Sequence, residues 1–186
     1  DNALAPTHGI RATARVAPYV KAFSNGVSML ESKGQLSAYH ALDEDAWYIL
    51  AGRVAVGSIV GPSIANVPAN RRFFAGGGGS VRGYRYRSIS PDNGFGFPTG
   101  GLSLFEASAE ARLKVTQDVG IVPFLDAGAA YSSSVPNFSS TMRFAAGVGL
   151  RYYTGIGPIR FDVATPLNPR PEDSRLAIFL GIGESF

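Results

Sequence analysis

The sequence predicts an all-β chain, an antiparallel transmembrane β-barrel wall of about eight strands with one long extracellular loop, and three observations carry that expectation. Apolar residues alternate with small or ionisable ones at period two, many alternating segments outrun ordinary globular strands, and short turns alternate with long connections.

The alternation is read element by element. Over 8–17, Arg11 and Arg15 oppose Ile10, Ala14 and Val16, and over 27–42, Glu31, Lys33 and Gln35 oppose Leu30, Leu36 and Leu42. Segment 46–60 sets Arg53 against Leu50, Val54 and Val56. Segment 102–115 is the clearest, because Glu106, Ser108, Glu110, Arg112 and Lys114 interleave with Phe105, Ala107, Ala109, Ala111 and Leu113. After a further segment at 119–132, residues 142–154 alternate Phe144, Ala146, Val148, Leu150 and Tyr152 with Arg143, Ala145, Gly147, Gly149 and Arg151. Over 157–165, Ile159, Phe161 and Val163 oppose Arg160, Asp162 and Ala164. The last segment, 174–185, puts Leu176, Ile178, Leu180 and Ile182 on one parity, which also contains Phe186, and Ala177, Phe179, Gly181, Gly183 and Ser185 on the other.

A soluble β-sandwich alternates too, so length decides. Several segments run to about 9–14 residues, suited to a tilted membrane crossing rather than to the usual globular strand of about 5–6. Aromatic residues gather near segment ends, at Trp47 and Tyr48, Tyr131, Tyr152 and Tyr153, and Phe186, as in the girdles of a transmembrane barrel. The turns around Asp43-Glu44-Asp45, Gln117-Asp118 and Thr154-Gly155-Ile156-Gly157 are short, whereas 61–101, 132–141 and 166–174 are longer. Since short turns of bacterial barrels face the periplasm, both chain ends are expected there and 61–101 outside.

Composition closes off other classes. Hydrophobic residues make up 45% and charged residues 17% of 186, yet no run approaches the roughly 18 apolar residues of a spanning helix. Twenty-three glycines, eight tyrosines and twelve phenylalanines suit strands and tight turns in one domain. With no cysteine there is neither a disulfide framework nor a thiolate metal site. The net charge of +3 comes without a basic run, so nucleic acid is not an expected partner, and arginines lining a polar interior explain it. His8 and His40 stand apart from any carboxylate cluster of ligand spacing, no Gly-Lys-Ser/Thr follows Gly76 to Gly79, and Glu106 with Glu110 reads as lumen wall rather than an acid/base pair. No cofactor, metal or enzymatic activity is expected. The opening Asp1-Asn2-Ala3 lacks the basic and then apolar start of a secretory signal, which reads as a piece cut from something longer.

The long loop carries Arg71-Arg72-Phe73-Phe74-Ala75-Gly76-Gly77-Gly78-Gly79-Ser80-Val81-Arg82-Gly83-Tyr84-Arg85-Tyr86-Arg87-Ser88-Ile89-Ser90-Pro91. Its Val81-Arg82-Gly83-Tyr84 resembles the loop-six signature of the Omp85 family, and Arg72 to Pro91 looks most like the TamA branch, with the BamA branch next. Phe124-Leu125-Asp126-Ala127-Gly128 resembles the family's Phe-x-Asp-x-Gly motif, and Leu180-Gly181-Ile182-Gly183-Glu184-Ser185-Phe186 its terminal strand signal. The resemblance covers the whole chain as the last half of a sixteen-stranded barrel in the bacterial outer membrane, without the first eight strands and the periplasmic POTRA domains.

That resemblance implies that Arg82 pairs with Asp126, and Glu106, Glu110 and Asp162 share the lumen parity and compete for it. It also implies a lateral gate that helps unfolded outer-membrane barrels or autotransporters enter the bilayer, with a periplasm-spanning partner. The rival is a conducting channel or two-partner secretion transporter, which shares both motifs. Eight strands with two free edges must close, join a second copy or await a missing half; were they to close alone, 71–91 would be expelled from so narrow a lumen.

Overall fold

The structure, a computed structural model, describes residues 4–20, 27–138, 141–155 and 157–186. Asp1-Asn2-Ala3, on which the expectation of a cut piece rests, Ile156 of the 154–157 turn and part of the 132–141 loop lie outside the described residues. Eight strands form one antiparallel sheet in chain order: β1 (Gly9–Tyr19), β2 (Met29–Ala41), β3 (Tyr48–Val60), β4 (Ser103–Lys114), β5 (Val119–Tyr131), β6 (Arg143–Thr154), β7 (Gly157–Pro166) and β8 (Ala177–Ile182). The described residues contain no α-helix, only a 3-10 turn at Ile64–Asn66. Among the described residues β1 and β8 do not pair, so the wall is open at both edges.

The register keeps one parity on one face throughout. Arg11, Ser37, Arg53, Ser108, Asp126 and Ala145 stand in a single row across β1 to β6. On the opposite face Leu36, Leu50, Val54, Leu125, Val148, Leu150, Ile178 and Leu180 are all exposed. An apolar face this wide would aggregate in water, and hydrocarbon is the solvent that covers it. The strands from β1 to β7 have 10–13 residues, enough to cross a bilayer when tilted.

Tyr48 and Tyr152 are exposed on that outer face at the short-turn end, where a girdle belongs. Tyr131 does not share that role. Its parity is outward, yet it is fully buried, because the chain after β5 folds back over the wall. The Phe138 ring sits 5.1 Å from Phe105 and 6.0 Å from Tyr131, and the Ser58 hydroxyl donates to the Ser134 carbonyl at 2.6 Å.

β8 ends well before the expected residue 185. Gly183 adopts φ +83°, a left-handed conformation that ends the extended run and sends residues 184–186 to the inner face. Phe186 therefore leaves the parity of Leu180 and Ile182. Its ring stacks 6.3 Å from Tyr39 inside, and the Glu184 N–H donates to the Leu4 carbonyl at 3.0 Å.

The long loop enters the same inner face instead of being expelled, since the wall has not closed on itself. Antiparallel bridges Phe73 to Gly101 and Ala75 to Ile89 fold it into a narrow finger. Its Phe73, Ala75, Val81, Tyr84 and Ile89 join Met29, Ile59, Leu104, Ala130 and Ala145 of the wall in one buried apolar cluster near the long-loop end. Below that cluster the inner face turns ionic.

Candidate functional site: an arginine lock under the loop

Extended backbone at Val122, Phe124, Asp126 and Gly128 points four alternate side-chain positions of β5 inward, and the loop motif lands on three of them. Arg82 grips Asp126 through a fork, Nε to Oδ2 at 2.7 Å and Nη2 to Oδ1 at 2.9 Å, and its backbone N–H donates to Oδ2 at 3.0 Å. The Phe124 ring lies under the guanidinium, 3.5 Å from centroid to Cζ. Gly128 makes room for the loop, because a Cβ placed there would stand 2.7 Å from Val81 Cγ2. The two motifs thus interlock residue by residue, as fork, ring and gap.

Arg82 Nη1 faces two further carboxylates, Glu110 Oε1 at 2.8 Å and Asp162 Oδ2 at 3.4 Å, and donates to Ser185 Oγ at 2.9 Å. So Glu110 and Asp162 share Arg82 with Asp126. Glu106 does not: it accepts from the Ser80 hydroxyl and lies 3.4 Å from Arg53 Nη2. Register explains the sorting, for Glu110 stands opposite Phe124, and Glu106 opposite Gly128, beside the Ser80 end of the loop.

Charges balance across this layer. Arg112 pairs with Glu110 at 3.0 Å, Arg151 with Asp162 at 2.6 Å and Glu184 at 2.9 Å, and Arg160 approaches Asp162 at 3.8 Å. Among the described residues the network holds Arg53, Arg82, Arg112, Arg151 and Arg160 against Glu106, Glu110, Asp126, Asp162 and Glu184. Burial by itself would lower the Arg82 pKa; Asp126, Glu110 and Asp162 more than reverse it, so the guanidinium stays charged. A buried pair of this kind adds little net stability, while leaving any one member unpaired is costly.

Gly83 has φ +101° and passes Ala145 so closely that an added Cβ would lie 2.9 Å from its methyl. Gly83→Ala is expected to cost about 1–2 kcal/mol for the left-handed backbone alone, read as a drop in the unfolding midpoint of the lipid-embedded protein. Tyr84 follows, fully buried, with its hydroxyl 3.0 Å from the Asn168 side-chain oxygen.

The terminal signal splits in two. Leu180 and Ile182 face outward and are exposed, Gly181 lies against Arg160, and Gly183 and Phe186 belong to the inward tail. Parity reading did not pick out Glu184, whose carboxylate ties Arg151, and it set Ser185, which receives Arg82, among the small residues without marking it as a partner; both contacts depend on the turn at Gly183.

Beyond the lock, the β7–β8 loop holds the finger from the side. Arg170 forks onto Asp173 at 2.7 and 3.0 Å and donates to the Ser88 carbonyl at 3.0 Å. Burial would raise the Asp173 pKa, but the Arg170 bonds outweigh it and hold the carboxyl below its ordinary 3.8. A group with a depressed folded pKa contributes its full stability above the unfolded value and loses it as pH falls through the folded one. Asp173 is therefore expected to titrate below a free aspartate, whose pKa is about 3.9, when followed by the NMR shift of its carboxyl carbon; titration at or above that value would contradict the clasp.

The sequence model of the Omp85 superfamily domain matches residues 1–186. Outer membrane protein assembly factor BamA of Nitratidesulfovibrio vulgaris (strain Hildenborough) is 33% identical over 138 residues, covering 72% of this chain and 17% of that protein. The BamA of Neisseria meningitidis serogroup B (strain MC58) is 25% identical over 228 residues, covering 100% of this chain and 27% of that protein. The crystal structure of BamA from Haemophilus ducreyi lacking POTRA domains 1-3 shares the fold, with a TM-score of 0.75 at 21% identity over 93% of this chain and 38% of that one. The chain thus spans 17–38% of the length of these relatives. All three are BamA proteins, so the likeness does not single out the TamA branch.

Proposed function

Because this chain belongs to the Omp85 superfamily, whose members are integral outer-membrane proteins, we propose that it forms the C-terminal half of a barrel that inserts and assembles outer-membrane β-barrel proteins. In this reading the long loop lies on the extracellular side and the short turns face the periplasm. A preceding half barrel and POTRA domains complete the machine, and unfolded barrels or autotransporters are the clients. The observation that carries the reading is the seating of Val81 to Tyr84 against the inner face of an open-edged wall through Arg82 and Asp126.

The physical work needs no bond chemistry. A client strand entering hydrocarbon exposes unpaired N–H and C=O groups, each costing several kcal/mol. β8 offers a partner for them: among the described residues it pairs with β7 alone, which leaves its other edge free. With Gly181 adding no cross-strand side chain, the edge is a weak final partner and a replaceable one.

The test uses the full-length protein in liposomes, with an unfolded outer-membrane barrel added and its folding followed by heat-modifiable gel mobility. Folding faster than in empty liposomes supports the proposal. Ion conductance with client folding unchanged would favour the channel or two-partner secretion transporter instead.

A further inference from the structure

Beyond the bridge at Ala75 and Ile89 the finger leaves the wall and forms a second, differently built feature. Asp92 and Pro98 pair, the Asn93 carboxamide accepts from the Phe95 and Phe97 N–H groups at 3.0 and 3.3 Å, and Asp92 accepts from Gly94 at 2.7 Å. These bonds fix a small hairpin that holds its rings out, Phe95 84% and Phe97 68% exposed, and Tyr86 on the neighbouring stretch of the loop is 79% exposed. Two bare phenylalanines on a braced turn are unusual for a surface that touches only water.

The rings line one cavity of about 480 Å³ together with Arg85, Arg87, Ser88 and Arg170. Arg170 is already committed to Glu172 and Asp173. Among the described residues Arg85 and Arg87 pair with no carboxylate; Arg85 donates to the Glu172 carbonyl and Arg87 lies over the Phe74 ring at 4.1 Å. Arg87 is held at φ +56°, a costly conformation for a residue with a side chain, and the buried Ser88 hydroxyl finds no hydrogen-bond partner among the described residues. Strained backbone, an unsatisfied hydroxyl, two uncompensated cations and exposed aromatic faces converge on a cavity of ligand size.

We propose that this cavity binds the phosphorylated sugar headgroup of an outer-leaflet glycolipid. Guanidinium groups fork onto phosphate oxygens, and aromatic faces stack on the apolar C–H face of a pyranose. The β7–β8 loop supplies Arg170 and Glu172 to the cavity, so the bound headgroup sits beside the long-loop end of the free β8 edge. Only the membrane source of the sugar rests on the orientation proposed above; the binding chemistry does not.

The experiment measures binding of a bis-phosphorylated glucosamine disaccharide to the full-length protein in detergent by calorimetry. Vesicles carrying lipopolysaccharide are then compared with vesicles of phosphatidylglycerol alone. Saturable binding is expected, weakened at least about tenfold by Phe95→Ala/Phe97→Ala, by Arg85→Glu, or by removal of the sugar phosphates. Both variants alter exposed tip residues, and unchanged unfolding midpoints will show them folded. The proposal fails if the disaccharide does not bind, if the variants bind equally well, if the unphosphorylated sugar binds as tightly, if phosphatidylglycerol vesicles do as well, or if an extended peptide takes the cavity while the sugar does not. Client insertion by the same variants is scored separately, so either reading can fall alone.

Discussion

Asp126→Ala should lower the stability of the lipid-embedded barrel by about 3–5 kcal/mol, because it strips the fork from an arginine that stays buried. Arg82 is 1% exposed and Asp126 2%, so water cannot replace the lost oxygens without opening the seat. Glu110 and Asp162 still touch Nη1, but Nε, Nη2 and the backbone N–H would lose their acceptor. The five-to-five balance of the layer would become five cations against four anions.

Two measurements check it. The guanidinium midpoint should fall, and trypsin should cut after Arg82, which the wild type buries. The double variant Arg82→Met/Asp126→Leu should be milder than the sum of its parts, since it leaves no orphaned charge. A midpoint within about 0.5 kcal/mol of wild type together with an unchanged digestion pattern would show that something other than the fork seats the loop.

Leu125→Arg, one residue away, should cost about 2–4 kcal/mol in a bilayer for an unrelated reason. Leu125 is 58% exposed at the middle of β5 and points outward, opposite Ala109 on β4 and Ala146 on β6. A guanidinium there meets hydrocarbon. Thr13→Gln, on the inner face of β1, should change stability by no more than about 0.5 kcal/mol. Folding titrations in lipid would read both, and an arginine at 125 that folds as well as leucine would overturn the assignment of the outer face to lipid.

These neighbouring positions show what the sequence makes legible. Period-two alternation fixes the facing of Leu125 and Asp126 without any coordinates, because a one-residue slip would put a carboxylate in lipid. Parity also marks Glu106, Glu110 and Asp162 as inward, but it cannot say which of them meets Arg82. Their sorting depends on how far down the wall the finger reaches, a distance set by packing of Val81 against Gly128 and of Gly78 against Phe179. The choice of Asp126 came from likeness to a family motif, not from spacing.

Two failures have a common cause. Phe186 reads as a girdle residue only if β8 stays extended, and a single left-handed glycine at 183 cancels that. Tyr131 reads the same way only if lipid reaches it, and the 132–138 segment covers it. Local pattern gives facing; it does not see a later stretch of chain returning across the wall.

The unequal edges set the order in which the wall would come apart. Eleven register pairs hold β1 to β2, while six hold β8 to β7. Sub-global opening follows the smallest zipper, so the ladder amide protons of Phe179 and Gly181 should exchange with deuterium well before those of Arg11, Thr13 and Arg15. One flank of the wall is thus a fixed hem and the other a fastening made to come undone.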